Sequence, residues 1–256
     1  MTEIQQLYDL TGRNALVTGA TQGIGKAIAV GLADFGANVI VHGKDERQDA
    51  ETVVSLIQSK GQKSRCILCD LEDKSAPQTL FEKATTLLGA VDILIINASL
   101  QIRKPWQHIT QEDIDRQLTI NFSSTLRLMQ LFGGGMMERH WGRLLTIGSV
   151  QEKKPHPDML VYAATKSANT NLVKNLAQQL AEYSITANNI APGVVETPRN
   201  EAVLANPSYR SATLKKVPAG FLGTPYDIAG IVVSLCSEAG RYVTGQEIYV
   251  DGGMSL

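Results

Sequence analysis

Cysteine is scarce in this sequence: three in 256 residues, an odd number in a long chain, which excludes a disulfide framework. Two of them form Cys66-x-x-Cys69, but within KSRCILCD, a segment that reads as a strand. Residues three apart on a strand point to opposite faces, so the thiols diverge. There is no second such pair and no HExxH around the four histidines, and no metal site is expected. Charge of one sign is also missing: 24 Lys+Arg stand against 25 Asp+Glu, a net of −1, without the basic footprint that nucleic-acid binding needs. Long apolar runs are absent. The longest, at 91–96, carries Asp92, well short of the ~18 residues of a membrane span. The start, MTEIQQLYDLTGR, has neither a basic leader nor an apolar block, so the cytoplasm is the expected compartment.

What remains is an ordinary globular composition, 43% apolar and 19% charged. Length allows one or two domains, and the pattern favours one, spanning 1–256. Short β-branched runs (NALVTG, NVIVHG, KSRCILCD, VDILIINA, RLLTIGS, ITANNIAP, EIYV) alternate with helix-like segments at 23–35, 46–59, 75–88, 110–140, 160–183 and 225–238. Such alternation predicts a doubly wound α/β fold: one parallel sheet of about seven strands with helices on both faces. The strands are nearly continuously apolar, as strands covered on both sides should be. The one long irregular segment, 196–224 with Pro198, Pro207 and Pro218, reads as a substrate lid. Gly133-Gly134-Gly135 interrupts the helix at 110–140. Each glycine costs about 1 kcal/mol there, so the helix either ends early or presents a close-packed contact surface.

The first strand runs into Gly19-Ala-Thr-Gln-Gly23-Ile-Gly25 and then a helix. Glycines at that junction permit a tight turn and bring backbone N–H groups and a helix N-terminus to a pyrophosphate. The second strand ends Val41-His42-Gly43-Lys44. No acid stands at 43 to accept the ribose hydroxyls of NAD, and Lys44 suits a 2′-phosphate, so NADP(H) is favoured with NAD(H) as the alternative.

Tyr162 and Lys166 lie four apart at the start of the helix 160–183, on one helical face. A neighbouring cation lowers a phenol's pKa towards neutrality, where it exchanges protons with a carbonyl or alcohol oxygen. Ser149, thirteen residues earlier at a strand end, offers a hydroxyl to hold that oxygen. With 7 Tyr in the chain, Tyr-x-x-x-Lys is expected about 0.4 times by chance, and about 0.02 times with a Ser at the fixed offset.

These residues resemble the short-chain dehydrogenases/reductases, from Leu10-Thr11-Gly12 to Asp251-Gly252-Gly253. The resemblance rests on Thr18-Gly19-x-x-x-Gly23-x-Gly25, Asp70, Asn97-Ala98, Asn121, Ser149, Tyr162/Lys166 and Pro192-Gly193 with Thr197. It implies Tyr162 as general acid/base, Lys166 on the nicotinamide ribose, Ser149 on the carbonyl and Asn121 in a water-linked proton relay. It implies a phosphate-loop set of Gly19, Thr21, Gln22, Gly23, Ile24 and Gly25, with Gly43 and Lys44 at the second strand. Asp70 and Leu71 would meet the adenine end, Asn97 and Ala98 the adjacent ribose, and Pro192, Gly193, Val195 and Thr197 the nicotinamide. It also implies a homo-oligomer, dimer or tetramer. Two departures stand out: Ile96 replaces a sheet-bracing polar residue, and Ser99 puts a side chain near the substrate mouth.

The loops at 100–108, 150–160 and 195–224 carry Gln101, Arg103, Trp106, Gln151, His156, Arg199, Asn200 and Arg210. This polar, partly basic set points to a small hydroxylated or acidic carbonyl/alcohol substrate. Reduction of a 3-oxoacyl thioester on a carrier protein is the alternative. A cofactor-binding regulator without catalysis is disfavoured by the intact Asn121/Ser149/Tyr162/Lys166 set.

Overall fold

The computed structural model describes residues 2–256. Seven strands, β1 (Asn14–Val17), β2 (Asn38–Gly43), β3 (Ser64–Leu68), β4 (Ile93–Ile96), β5 (Gly142–Ile147), β6 (Ile185–Pro192) and β7 (Glu247–Val250), form one parallel sheet in the order β3-β2-β1-β4-β5-β6-β7. The helices are α1 (Glu3–Gln6), α2 (Gly23–Asp34), α3 (Arg47–Gln58), α4 (Ala76–Leu88), α5 (Gln111–Leu118), α6 (Ser124–Glu138), α7 (Leu160–Leu180), α8 (Pro198–Leu204), α9 (Pro207–Leu214) and α10 (Pro225–Cys236).

Each face of the sheet has its own apolar layer. On one, Ile28 and Leu32 of α2, Val53 and Ile57 of α3 and Val232 of α10 pack against Val17, Val39 and Ile95. On the other, Leu80 of α4, Leu128 and Phe132 of α6 and Val173 of α7 pack against Leu16, Ile40 and Leu94. Cys66 packs on the first layer and Cys69 on the second, the divergence that the strand reading requires. Ile96 is buried in the second layer, so the position has exchanged a polar brace for apolar packing. Arg143 is 2% exposed in β5, its guanidinium 4.2 Å from the Trp141 ring and 3.3 Å from Glu238.

Two expectations change. The segment 196–224 is not irregular: it holds α8 and α9, each with proline in its first turn, where the missing N–H costs nothing. A backbone bridge between Val195 and Gly223 closes its neck. The glycine triplet does not end a helix either, since α6 continues through it to Glu138. The long helix is instead broken earlier, by a π-turn at Thr119–Ser123 between α5 and α6. Neighbouring strands β1 and β4 are connected in opposite directions, which opens a crevice beyond their carboxyl ends. The loops after β1, β2, β4, β5 and β6 all open on it.

Candidate active site

The phosphate loop begins where β1 runs out. Thr18 is buried, and its Oγ1 accepts from the backbone N–H groups of Asn97 and Ala98 at 3.0 and 3.1 Å, locking the loop after β4 to the loop after β1. Gly19 and Gly23 adopt φ of +60° and +55°, a region that glycine enters without strain. A Cβ on Gly25 would overlap the Gly19 carbonyl oxygen and come within 2.5 Å of Asn97 Nδ2. Gln22, the N-cap of α2, makes no side-chain cap, so first-turn N–H groups and the positive helix end are left for an anion.

His42 supports this loop from below. Its Nδ1 accepts from Gly19 N at 3.2 Å and its Nε2 faces the Cys69 carbonyl at 3.0 Å. These partners fix the neutral tautomer with the proton on Nε2, and burial drives the pKa down to about 4. At the end of β2, a Cβ on Gly43 would stand 2.6 Å from Thr21 Cγ2, so an acid at this position has no room. Lys44 is paired with Asp70 at 2.8 Å, both partly exposed; such a surface pair is worth only ~0–1 kcal/mol, a contact easily exchanged for a phosphate.

Ser149 is the N-cap of a short turn, Val150–Glu152, after β5. Tyr162 and Lys166 stand one turn apart in α7, 6% and 3% exposed. Lys166 Nζ donates to the Ile147 carbonyl at 2.6 Å and lies 5.6 Å from the Tyr162 ring centroid. Burial, reinforced by the charge of Arg199, lowers Lys166 to about 8. For Tyr162 burial dominates and raises the pKa, while Arg199 and hydrogen bonds with Ser149 and Ser99 pull it back. Arg199 thus adds a cationic influence of its own on the phenol, beside Lys166, which spends one donor on a backbone carbonyl.

Asn121 sits in the π-turn, one layer behind the cavity wall. Its Oδ1 accepts from Leu100 N and its Nδ2 donates to Leu100 O, both at 2.8 Å, and to Thr165 Oγ1 at 3.1 Å. The side chain is therefore committed to holding the loop after β4. Asn97 is similarly occupied: its Nδ2 donates to the Thr18 and Gly19 carbonyls at 3.0 and 2.8 Å, bracing the phosphate loop.

An elongated cavity of about 560 Å³ joins these parts. Gly19, Thr21, Gln22, Gly23, Ile24 and Gly25 line one end, with Gly43, Lys44, Asp70 and Leu71. Asn97, Ala98, Pro192, Gly193, Val195 and Thr197 follow along its length to Ser149, Tyr162 and Lys166. The glycine cradle, the uncapped helix and this run fit a nicotinamide dinucleotide. The cavity is also lined by Gln101, Arg103, Gln151, His156, Arg199 and Asn200. Arg199 Nη2 donates to the Ser99 carbonyl at 2.9 Å and Nη1 to its hydroxyl at 3.2 Å, so the departure at Ser99 anchors a cation at the mouth. Trp106 is 66% exposed and Arg210 pairs with Glu196; neither lines this cavity. The bracing roles of Thr18 and His42 and the Ser99–Arg199 contact had no sequence signal, since each acts through a neighbour distant in the chain.

A family model described as Enoyl-(Acyl carrier protein) reductase matches residues 19–255. Gluconate 5-dehydrogenase of Gluconobacter oxydans is 32% identical over 98% of this chain and 97% of its own. A crystal structure of a 3-oxoacyl (acyl-carrier-protein) reductase from Agrobacterium tumefaciens with NADP bound superposes with a TM-score of 0.94, at 36% identity over 98% of both chains. A gluconate 5-dehydrogenase from Burkholderia cenocepacia in complex with NADP and tartrate gives 0.92, at 30% identity over 99% of both. With the glycine loop, the seven-stranded sheet and the Ser149/Tyr162/Lys166 cluster in place, the chain belongs to the short-chain dehydrogenase/reductase family.

Proposed function

We propose that this protein is an NADPH-dependent oxidoreductase that interconverts the carbonyl and secondary alcohol of a small, hydroxylated, acidic substrate. One observation carries the reading. Tyr162 lines the same cavity as the glycine loop and as Arg103, His156 and Arg199. Relatives that act on gluconate, one crystallised with tartrate, support the acidic class. NADP in related structures supports the cofactor, as does the lack of room for an acid at Gly43.

When bound, the nicotinamide supplies or accepts the hydride. In reduction, Tyr162 donates its proton to the substrate oxygen as that oxygen gains charge, and in oxidation the phenolate takes the proton back. Ser149 Oγ hydrogen-bonds the same oxygen and fixes its distance from the phenol. Lys166, held by Ile147 O, presents its remaining N–H donors to the ribose. Asn121 keeps Leu100 in place and so shapes the mouth. Gly19 to Gly25 and Lys44 hold the phosphates. The segment 196–224 acts as a lid hinged at the Val195–Gly223 bridge. The protein works in the cytoplasm as a homodimer or homotetramer, with the unpaired edge of β7 available to a second copy. Among the described residues no helix is long and apolar enough to cross a membrane.

The test titrates NADPH and NADH and then follows turnover of 5-ketogluconate against acetoacetyl-coenzyme A. Tighter NADPH binding with turnover of the keto acid is the expected result. Preferential reduction of the thioester moves the protein to the 3-oxoacyl reductase reading, which the Agrobacterium structure favours. Binding of neither cofactor overturns both.

A further inference from the structure

Behind Ser149, on the side away from the cavity, lies a buried polar cluster that the proposed reaction does not use. Glu152 Oε1 accepts from the Ser149 backbone N–H at 2.8 Å. Its Oε2 accepts from Thr170 Oγ1 at 2.5 Å and Asn189 Nδ2 at 2.9 Å. Asn189 is oriented in turn by Thr146, whose hydroxyl donates to Asn189 Oδ1 at 2.7 Å. Thr146 and Asn189 are buried, at 1% and 0% exposed. Gly148 leaves the space, since a Cβ there would overlap Glu152 Oε1 and lie 2.6 Å from Asn189 Nδ2. Glu247 of β7 is in register with Asn189, the residue that donates to Glu152 Oε2, so a second carboxyl lies on the same side of the sheet and raises the pKa of Glu152. Glu247 also accepts from Tyr249 OH and lies 3.3 Å from Lys174 Nζ.

We propose that Glu152 is a positioning residue of the active site: with Glu247 it forms a carboxyl pair that shares one proton, holds the Ser149 amide from behind and sets the charge beneath Tyr162 and Lys166. This rests on the reading of Ser149 as the hydroxyl that holds the substrate oxygen. Two neighbouring carboxyls cannot both ionise cheaply. Tyr249, Lys174 and Glu152 itself favour the charge on Glu247, outweighing burial, while burial and the neighbouring Glu247 push Glu152 up to about 7. The other charged or titratable groups facing the pair are Lys166 from α7, which favours the ionised form of Glu152, and Asp251, which acts on Tyr249. Lys153 lies 5.4 Å from the Tyr249 ring centroid.

Below pH 7 the pair carries one negative charge. Above it the proton leaves to water and the pair carries two. The ionised Glu152 raises the pKa of both Tyr162 and Lys166, so its titration reaches the catalytic phenol while its hydrogen bond to the Ser149 amide persists.

The test reads the free protein first. In 15N-serine-labelled wild type, the Ser149 amide shift should titrate with a midpoint near 7, be flat in Glu152→Gln, and titrate at lower pH in Glu247→Gln, where the like charge is gone. The second reading is the pH profile of gluconate oxidation with NADP. In Glu152→Gln its acid limb should move about half a unit or more to lower pH, because the charge that opposes the phenolate is absent. A Ser149 amide that is flat in wild type overturns the proposal, as does one that titrates unchanged in Glu247→Gln. A titrating amide in a protein that turns over neither gluconate nor 5-ketogluconate overturns the substrate reading and upholds the carboxyl pair.

Discussion

Under the proposed function, Arg199 is the side chain through which substrate class and proton transfer meet. It is tied to Ser99 at the mouth, and its charge lowers the pKa of both Tyr162 and Lys166. Replacing it by Gln removes that influence, so both pKa values rise. Alcohol oxidation needs the phenolate, so the acid limb of its pH profile should move to higher pH, and KM for an acidic substrate should rise roughly tenfold or more for the loss of one charge-assisted contact. The pH profiles of kcat and of kcat/KM check the two effects separately. Lys44 also lines the cavity, paired with Asp70 at 2.8 Å, and in the proposed reading exchanges that partner for a phosphate. Lys44→Ala should weaken NADPH by about five- to tenfold, on the order of 1 kcal/mol, and leave NADH within twofold, as read by fluorescence titration.

At the scale of elements, strand β2 and the phosphate loop constrain each other. A Cβ on Gly43 would stand 2.6 Å from Thr21 Cγ2, so any side chain there displaces Thr21. Gly43→Asp, the substitution that would place an acid for NAD, should therefore cost about 1–3 kcal/mol as an overpacked site without creating an NADH preference; thermal unfolding and cofactor titration check this. The glycines of α6 show the opposite case. An added Cβ at Gly134 meets nothing within 4 Å, and the residue is exposed. Gly134→Ala should then stabilise the protein by about 0.5–1 kcal/mol through helix propensity alone, seen as a Tm rise of about 2 °C.

The strands were legible because burial on both faces demands apolar runs, and the crossover helices because their apolar faces repeat. The break at Thr119–Ser123 was not: it arises where Asn121 turns to hold Leu100, a contact across 21 residues that no periodicity records. α8 and α9 were hidden by three prolines read as loop markers, although Pro198 and Pro207 open the two helices. In the site, Ser149, Tyr162 and Lys166 were legible from spacing, but the influence of Arg199 on the phenol was not, since Arg199 reaches it only through the fold.

Over the whole molecule, buried titrating groups set how stability changes with pH. His42 has its pKa lowered from 6.5 to about 4 by burial. The unfolded chain binds that proton first, so stability from His42 is present above 6.5 and is lost as pH falls towards 4. Glu152 has its pKa raised from 4.5 to about 7, chiefly by burial. The folded state then holds the proton, so stability is present below 4.5 and is lost as pH rises towards 7. Each group is worth up to about 3 kcal/mol, and between 4.5 and 6.5 the two slopes oppose each other. Wild type should therefore show a nearly flat Tm across that window. Removing one side exposes the other: Glu152→Gln should lose stability on acidification, and His42→Gln should lose it as pH rises. Parallel flat profiles in both variants would show that neither group titrates between the folded and unfolded states, and would break the link drawn between these buried side chains and the stability of the whole.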